Sequence, residues 1–369
     1  MTLPAEARTK QDIIYAELLR RIEREIYPID GHIPTELELA EEFQCSRGTV
    51  GRAVMRLVHE RLVARKPHSG TRVIRHAAAP SPARLELDAC AYIYPSNQHE
   101  GIWRTGRGFE MAAHDAKRRT LMLSTESDFR KEAEIVGRLG EFNVKGAVLF
   151  PVITSPTEMA YYTQMILACP FPVVLAELAI PGMGRPAVVV DGLHAGYTMT
   201  RHLIDRGLRR IGFLTHYAWT PFMRDRYLGY RQALEEAGIP VNDDWVRLES
   251  RIKADFDDPV KDPARTAQDY LSQHGHELEG VVCSCDFIAL GLLQEAQRMG
   301  INVPRDLKIV GIDDHELAAT STPKLTTYRV PYELLGRKAF ELLSAQMNGD
   351  KLPTSEVQVR GELVVRESA

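Results

Sequence analysis

Long apolar runs are missing from this chain of 369 residues, and none approaches the roughly 20 residues that a membrane-spanning helix needs. The N-terminal "MTLPAEARTKQDIIYAELL" lacks the basic, apolar and small-residue blocks of a secretory signal, so a cytoplasmic protein without a membrane partner is expected. Cysteine is scarce. Cys45, Cys90, Cys169, Cys283 and Cys285 are odd in number, scattered and mostly inside apolar runs, which suits a reducing compartment. Cys283 and Cys285 sit two apart in a strand-like run without a matching ligand pair, so a buried structural pair is expected there, not a metal or redox site. The chain also lacks a nucleophile elbow, a phosphate loop and a metal cluster, and "HGHE" at 274–277 reads as a solvated loop. No catalytic residue, metal or cofactor is expected, and the chain is read as a non-enzyme.

Positive charge is in slight deficit overall, with a formal net charge of -4, which argues against a polyanion partner only if charge is evenly spread. It is not. From 47 to 75 the bases Arg47, Arg52, Arg56, Arg61, Arg65, Lys66, Arg72 and Arg75 face the single acid Glu60. An anionic partner feels local charge, because screening confines fields to about 10 Å at ordinary salt.

With 44% apolar and 26% charged residues the chain is globular, and its length calls for two or three domains. The Pro- and Ala-rich "RHAAAPSPARLE" has no periodic apolar face and reads as a linker over 76–86, separating a head (1–75) from a body (87–369). In the head, Ile14, Tyr15, Leu18, Leu19, Ile22 and Ile26 share one helical side. Thr35 caps a second helix with Glu38 in the capping-box position, and Ser46 caps a third after a short turn. That third helix, "SRGTVGRAVMRL", carries Val50, Ala53, Val54 and Leu57 inward and Gly48, Arg52, Met55 and His59 outward. "LVARKPHSGTRVI" then reads as two short strands around a turn. Helix, helix, turn, helix, basic hairpin is the order of a winged helix-turn-helix, whose third helix suits the major groove. On pattern alone, a small helical domain with a basic solvent face stays open as the alternative.

The stretch "IPTELELAEEFQCSRGTVGRAVMRLVHERLVARKPHSGTRV" resembles the GntR-family winged-helix signature. The resemblance implies operator DNA as a partner, with Ser46, Arg47 and Thr49 addressing phosphates and base edges and Gly70 and Thr71 in the wing. Thr35, Arg52 and His68 complete the expected DNA-binding set. Leu37 and Gly51 stand where the family usually has basic residues, and His68 replaces the first wing glycine.

From Leu87 the pattern changes to near-continuous apolar runs alternating with helix-length segments: "ACAYIYP", "TLMLST", "GAVLFPV", "PVVLAE", "AVVVD", "RIGFLT", "GVVCSC" and "KIVGIDD". Such strands belong to parallel sheets covered on both faces, so an α/β body of two doubly wound lobes is expected, with ligands beyond the strands' carboxyl ends. The loops there carry Tyr94, Trp103 and Arg104, then Trp219, Phe222, Arg224 and Arg226, then Asp286, Asp313 and Asp314. Aromatic faces with carboxylates and guanidinium groups suit a sugar or another small polar ligand. On the residues alone Asp286 reads first as a helix cap, Asp191 as a turn or cap residue, the tryptophans as packing residues, one of Arg224 and Arg226 as a surface charge, and Asp314 as a partner of a neighbouring element.

"HLIDRGLRRIGFLT", "RYLGYRQALEEAGI", "DFIALGLLQEAQRMGINVPRDLKIVGIDDHELA" and "PKLTTYRVPYELLGRKAFELL" resemble, in order and spacing, the effector domain of the LacI/GalR family, itself similar to periplasmic binding proteins. That resemblance implies effector contacts at Arg226, Asp286 and Asp313, with Tyr94, Trp103 and Trp219 expected beside them. Cys285 stands where the family usually has asparagine. It also implies three crossings between lobes, near Asp191, Pro331 and Thr354, giving lobe 1 about 87–190 and 331–350 and lobe 2 about 191–330 and 355–369. The expected whole is a ligand-controlled regulator of transcription, in type a repressor, acting as a homodimer with a carbohydrate-like effector. A soluble binding protein without a gene-regulatory role is the alternative.

Overall fold

In a computed structural model of the protein, residues 10–60, 62–66, 70–74, 89–96, 99–139, 144–151, 156–180, 182–249, 258–351 and 354–369 are described. The chain divides into two units at Arg84 and Leu85. The expected linker, 76–86, lies outside the described residues, as does His68.

In the first unit α1 (Lys10–Glu23) buries Ile14, Leu18 and Ile22, one residue per turn. Ile26, expected on the same face, is 56% exposed. The helix has ended before it, with Glu25 in a left-handed conformation (φ 57°) that turns the chain away. Helix α2 (Glu36–Glu42) starts at Thr35 in a complete capping box with Glu38, and α3 (Arg47–His59) starts at Ser46, whose Oγ accepts the Thr49 N–H. Val50, Ala53, Val54 and Leu57 of α3 are buried against α1 and Leu39 of α2. Strands β1 (Val63–Lys66) and β2 (Gly70–Val73) pair antiparallel, Val63 opposite Val73. The segment before α2 adds to the edge of β2: Ile33 N donates to Thr71 O at 3.0 Å and Asp30 N to Val73 O at 2.8 Å.

The second unit holds two six-stranded sheets. β3 (Ala89–Tyr94), α4 (Glu100–Asp115), β4 (Arg119–Ser124), α5 (Phe129–Arg138), β5 (Val144–Leu149), α6 (Pro156–Leu167), β6 (Val173–Ala176) and β7 (Ala187–Val190) build the first. α7 (Gly192–Asp205), β8 (Ile211–Thr215), α8 (Pro221–Glu236), β9 (Val246–Leu248), α9 (Lys261–His274), β10 (Gly280–Cys283), α10 (Asp286–Arg298), β11 (Lys308–Asp313), α11 (Glu316–Thr320) and β12 (Thr326–Arg329) build the second. The chain then returns through α12 (Tyr332–Asn348) and β13 (Glu356–Val359) to the first sheet and ends with β14 (Glu362–Val364) in the second. The orders are β13-β7-β6-β5-β3-β4, wholly parallel, and β14-β12-β11-β10-β8-β9, parallel except for the edge pair β12 and β14. β10 is buried throughout, as a central parallel strand covered on both faces must be.

Two crossings fall at Asp191 and Pro331, but the third falls at Arg360 and Gly361, later than the expected position near Thr354. The reason is β13, which pairs with β7 (Gln358 opposite Val189) and so keeps 356–359 in the first lobe. The crossing strands are tied together by polar contacts. Asp191 accepts from His194 N at 2.9 Å and from Arg360 Nε at 2.8 Å, while Tyr328 Oη accepts the Gly361 N–H at 2.6 Å. Asp191 is thus a cap and a crossing contact.

Candidate functional site

On the head, the side of α3 turned from the core is polar and open: Gly48, Arg52, Met55 and His59 are exposed. Arg47, first residue of the helix, keeps 71% of its side chain exposed. Ser46 and Thr49 are held against each other, their hydroxyls 2.8 Å apart. A groove of about 760 Å³ brings Thr35, Arg47, Gly70 and Thr71 together with Glu36 and Arg65. Within it the Thr35 hydroxyl is engaged by Glu38 at 2.9 Å, as a cap residue's would be. Gly70 has φ 74°, which lets the chain turn into β2. Glu36 accepts from both Arg47 (Nε, 3.3 Å) and Arg65 (Nη2, 3.0 Å), a link that linear spacing does not announce.

In the body, α8 carries Arg226 inward until it is 3% exposed. Its guanidinium donates to Asp313 Oδ1 at 3.2 Å and to the Ser284 carbonyl, and Tyr332 Oη donates to the same Asp313 oxygen at 3.0 Å. Asp286 is fully buried but does not cap α10. Cys285 occupies the cap position, and Asp286 instead accepts the His315 N–H at 2.9 Å and the Thr327 hydroxyl at 2.5 Å. Gly311 makes this possible, since a Cβ there would stand 2.3 Å from Asp286 Oδ1. Burial, reinforced by Asp313, pushes the Asp286 carboxyl up to about 7. Asp314 takes its neighbour role, pairing with Arg329 at 2.7 Å and with Arg366, and Arg224 is the surface charge, pairing with Asp225 at 3.0 Å.

Glu177, just beyond β6, is 9% exposed and adopts φ 67°. A glutamate in that region carries of order 1–3 kcal/mol of strain. Burial raises its carboxyl to about 7, with Arg226 opposing and Asp313 adding to the rise. His315, 1% exposed, stacks on Phe287 (4.8 Å between centroids) and parallel to Tyr332 (6.3 Å). Its nitrogens stand 3.5 Å from Glu100 and 3.7 Å from Asp313. Burial alone would lower its pKa, but those carboxylates outweigh it and hold the ring above the ordinary histidine value. His99 meets His315 edge-on at 5.0 Å, and burial lowers it to about 4, so it is neutral. Glu100 accepts the Glu316 N–H at 2.7 Å, closing the loops of the first sheet onto those of the second.

Among the described residues, most buried side-chain nitrogens and oxygens without a hydrogen-bond partner lie at the carboxyl ends of the strands of both sheets. They are His99 Nδ1, Ser127 Oγ, Glu177 Oε1, His216 Nε2, Trp219 Nε1, Arg226 Nε, Ser284 Oγ and both His315 nitrogens, all in or beside loops that follow strands; His202 Nε2 and Gln346 Oε1 alone lie elsewhere. An unpaired buried polar atom costs about 1–3 kcal/mol, so such a concentration marks a place built to meet something else.

Of the expected effector residues, Arg226 and Asp313 pair directly, and the Asp313 carboxylate helps to raise the Asp286 carboxyl. Tyr94 ends β3, buried and stacked on Tyr92 at 5.6 Å, and Trp219 is half-buried in the loop after β8. Trp103 is not brought into the cluster. It is 42% exposed, because α4 turns its neighbours Ile102 and Thr105 inward instead. Glu177, His99, His315 and Tyr332 join the site without having been expected there.

Residues 10–73 match the family of bacterial regulatory proteins of the gntR type, and residues 200–369 match the periplasmic binding protein-like domain. The chain is similar to the arabinose metabolism transcriptional repressor of Geobacillus stearothermophilus, 29% identical over all of this chain and 98% of that protein. It is also similar to the HTH-type transcriptional repressor PurR of Photobacterium profundum, 26% identical over 71% of this chain and 75% of the other. A LacI family transcriptional regulator from Mycobacterium smegmatis superposes with a TM-score of 0.63 at 28% identity, over 76% of this chain and 98% of that one. The chain joins a GntR-type helix-turn-helix head to a periplasmic-binding-protein-like body whose structural neighbours are LacI-family regulators.

Proposed function

We propose that the protein is a sequence-specific transcriptional repressor whose hold on operator DNA is set by a small polar ligand, of carbohydrate type, bound between the two lobes of the body. The observation that carries this reading is the gathering of unpartnered buried polar atoms at the carboxyl ends of both sheets. Donors and acceptors are mixed there, as a ligand with many hydroxyls requires.

Arg226 and Asp313 are the central ligand contacts in this account, with Glu177, Trp219 and Tyr94 around them. Asp286, whose oxygens are already engaged by His315 and Thr327, holds the strand ends in place. The similarity to an arabinose repressor supports a sugar as the ligand class.

In the head, Ser46, Arg47, Thr49 and Arg52 address the duplex, with the wing glycine Gly70 and Thr71 beside them. Thr35 serves the head by capping α2. The protein acts in the cytoplasm as a homodimer, two heads reading the halves of a near-palindromic site. A ligand shifts DNA affinity only by as much as it prefers one arrangement of the lobes, and DNA shifts ligand affinity by the same factor. A thermal-shift screen of sugars and sugar phosphates on the full chain tests the reading. At least one sugar is expected to raise the Tm, and a panel-wide absence of any shift would count against it.

A further inference from the structure

We propose that Glu36 is a positioning residue for DNA recognition: its carboxylate ties Arg47 at the start of α3 to Arg65 in β1, so that recognition helix and wing strand present one fixed pair of guanidinium groups. The proposal rests on the head's DNA-binding reading.

Three elements distant in sequence meet at this carboxylate. Glu36 is the first residue of α2, and its side chain is 17% exposed; Oε2 lies 3.3 Å from Arg47 Nε, and Oε1 lies 3.0 Å from Arg65 Nη2. The arginine side chains remain 71% and 49% exposed, so each guanidinium gives one edge to Glu36 and keeps the rest of its planar fork for phosphates or base edges. Capping does not explain Glu36, because Thr35 and Glu38 already form the capping box of α2.

Gly51 supplies the space. The nearest atoms to a Cβ built there are those of the Glu36 carboxylate, the first at 3.5 Å. A methyl group fits at that distance, but a longer side chain would compete for the place the carboxylate takes.

An acid near a duplex is repelled by phosphates, and its persistence here has an electrostatic logic. Glu36 and its two arginines carry a net charge of one, where two unrestrained arginines would carry two. The carboxylate therefore trades non-specific attraction for fixed geometry.

The test compares the full-length wild-type chain, Glu36→Gln and Glu38→Ala on two probes across a salt series: duplexes that the wild type recovers from a randomised pool, and unselected random-sequence duplex. Glu36→Gln is expected to bind unselected duplex more tightly, with a salt slope steeper by up to about one released counterion. Its preference for recovered over unselected duplex should fall about tenfold, the scale of one well-placed base contact. Glu38→Ala, which removes the reciprocal acceptor of the capping box and leaves Glu36 in place, should move both probes together and keep the ratio. An unchanged ratio and slope in Glu36→Gln, or an equal loss on both probes, would overturn the proposal. If the wild type recovers no preferred duplex, the DNA-binding reading itself falls.

Discussion

Arg226 is paired with Asp313 at 3.2 Å, yet its Nε, equally buried, has no partner. A structural ion pair would close every hydrogen bond it could, since unmet donors in a dry interior are costly. Under the proposed function a ligand completes this pair, which lies at the carboxyl end of the second sheet.

Removing that arginine strands Asp313 in the interior. Arg226→Ala is expected to lower stability by about 3–5 kcal/mol, the scale of breaking a buried pair from one side. Urea unfolding measures this loss. The variant should also lose any sugar-induced thermal shift, and a shift of wild-type size would remove Arg226 from the ligand site.

Glu177 makes stability depend on pH with a definite sign. Its carboxyl is raised in the folded chain to about 7, chiefly by burial, so folding favours the protonated form. Its ionisation costs nothing in the acid range; stability falls as pH rises from the ordinary glutamate value to about 7 and is level above it. Glu177→Gln should match the wild type near pH 4 and exceed it by about 3 kcal/mol at pH 8. Equal stabilities at both pH values would show that the side chain is not held in a dry environment.

The caps of the head give a simpler expectation. Thr35→Ala removes the acceptor for Glu38 N and should cost about 1 kcal/mol, with DNA affinity falling in step on specific and non-specific duplexes alike. A selective loss on operator DNA would make Thr35 a contact in its own right.

Gly51→Ala should leave operator preference unchanged and stabilise the head by up to about 1 kcal/mol, because the added methyl meets only an ordinary contact and alanine favours the helix. Gly51→Arg should instead shift operator preference, since a long cationic side chain displaces or shares the Glu36 carboxylate. Measured melting temperatures and duplex selection distinguish the two.

The strands legible in the sequence were those with continuous apolar runs, such as the fully buried β6 and β10. β9, β12, β13 and β14 are only three or four residues long, and polar residues in "TTYR" and "EVQV" hide them. The late third crossing follows from missing β13. Arg226, Asp286 and Asp313 were singled out by the family resemblance, whereas the residues alone left Asp286 as a helix cap and one of Arg224 and Arg226 as a surface charge. Glu177 and His315 were not singled out. Their significance comes from burial produced by contacts such as Glu100 with Glu316, 216 residues apart, and no local pattern records that. Trp103, expected beside the effector, is 42% exposed because the phase of α4 turns it outward, which a strand-end aromatic does not announce.

The central claim is that occupancy of the body's cleft controls DNA affinity. It is tested most directly by titrating recovered operator duplex with the full chain, with and without a stabilising sugar, for wild type and for Arg226→Ala. The account predicts that the sugar changes wild-type affinity by at least about fivefold, the lower end of ordinary allosteric coupling, and leaves the variant unaffected. A sugar that stabilises the wild type while leaving its operator affinity unchanged would contradict it.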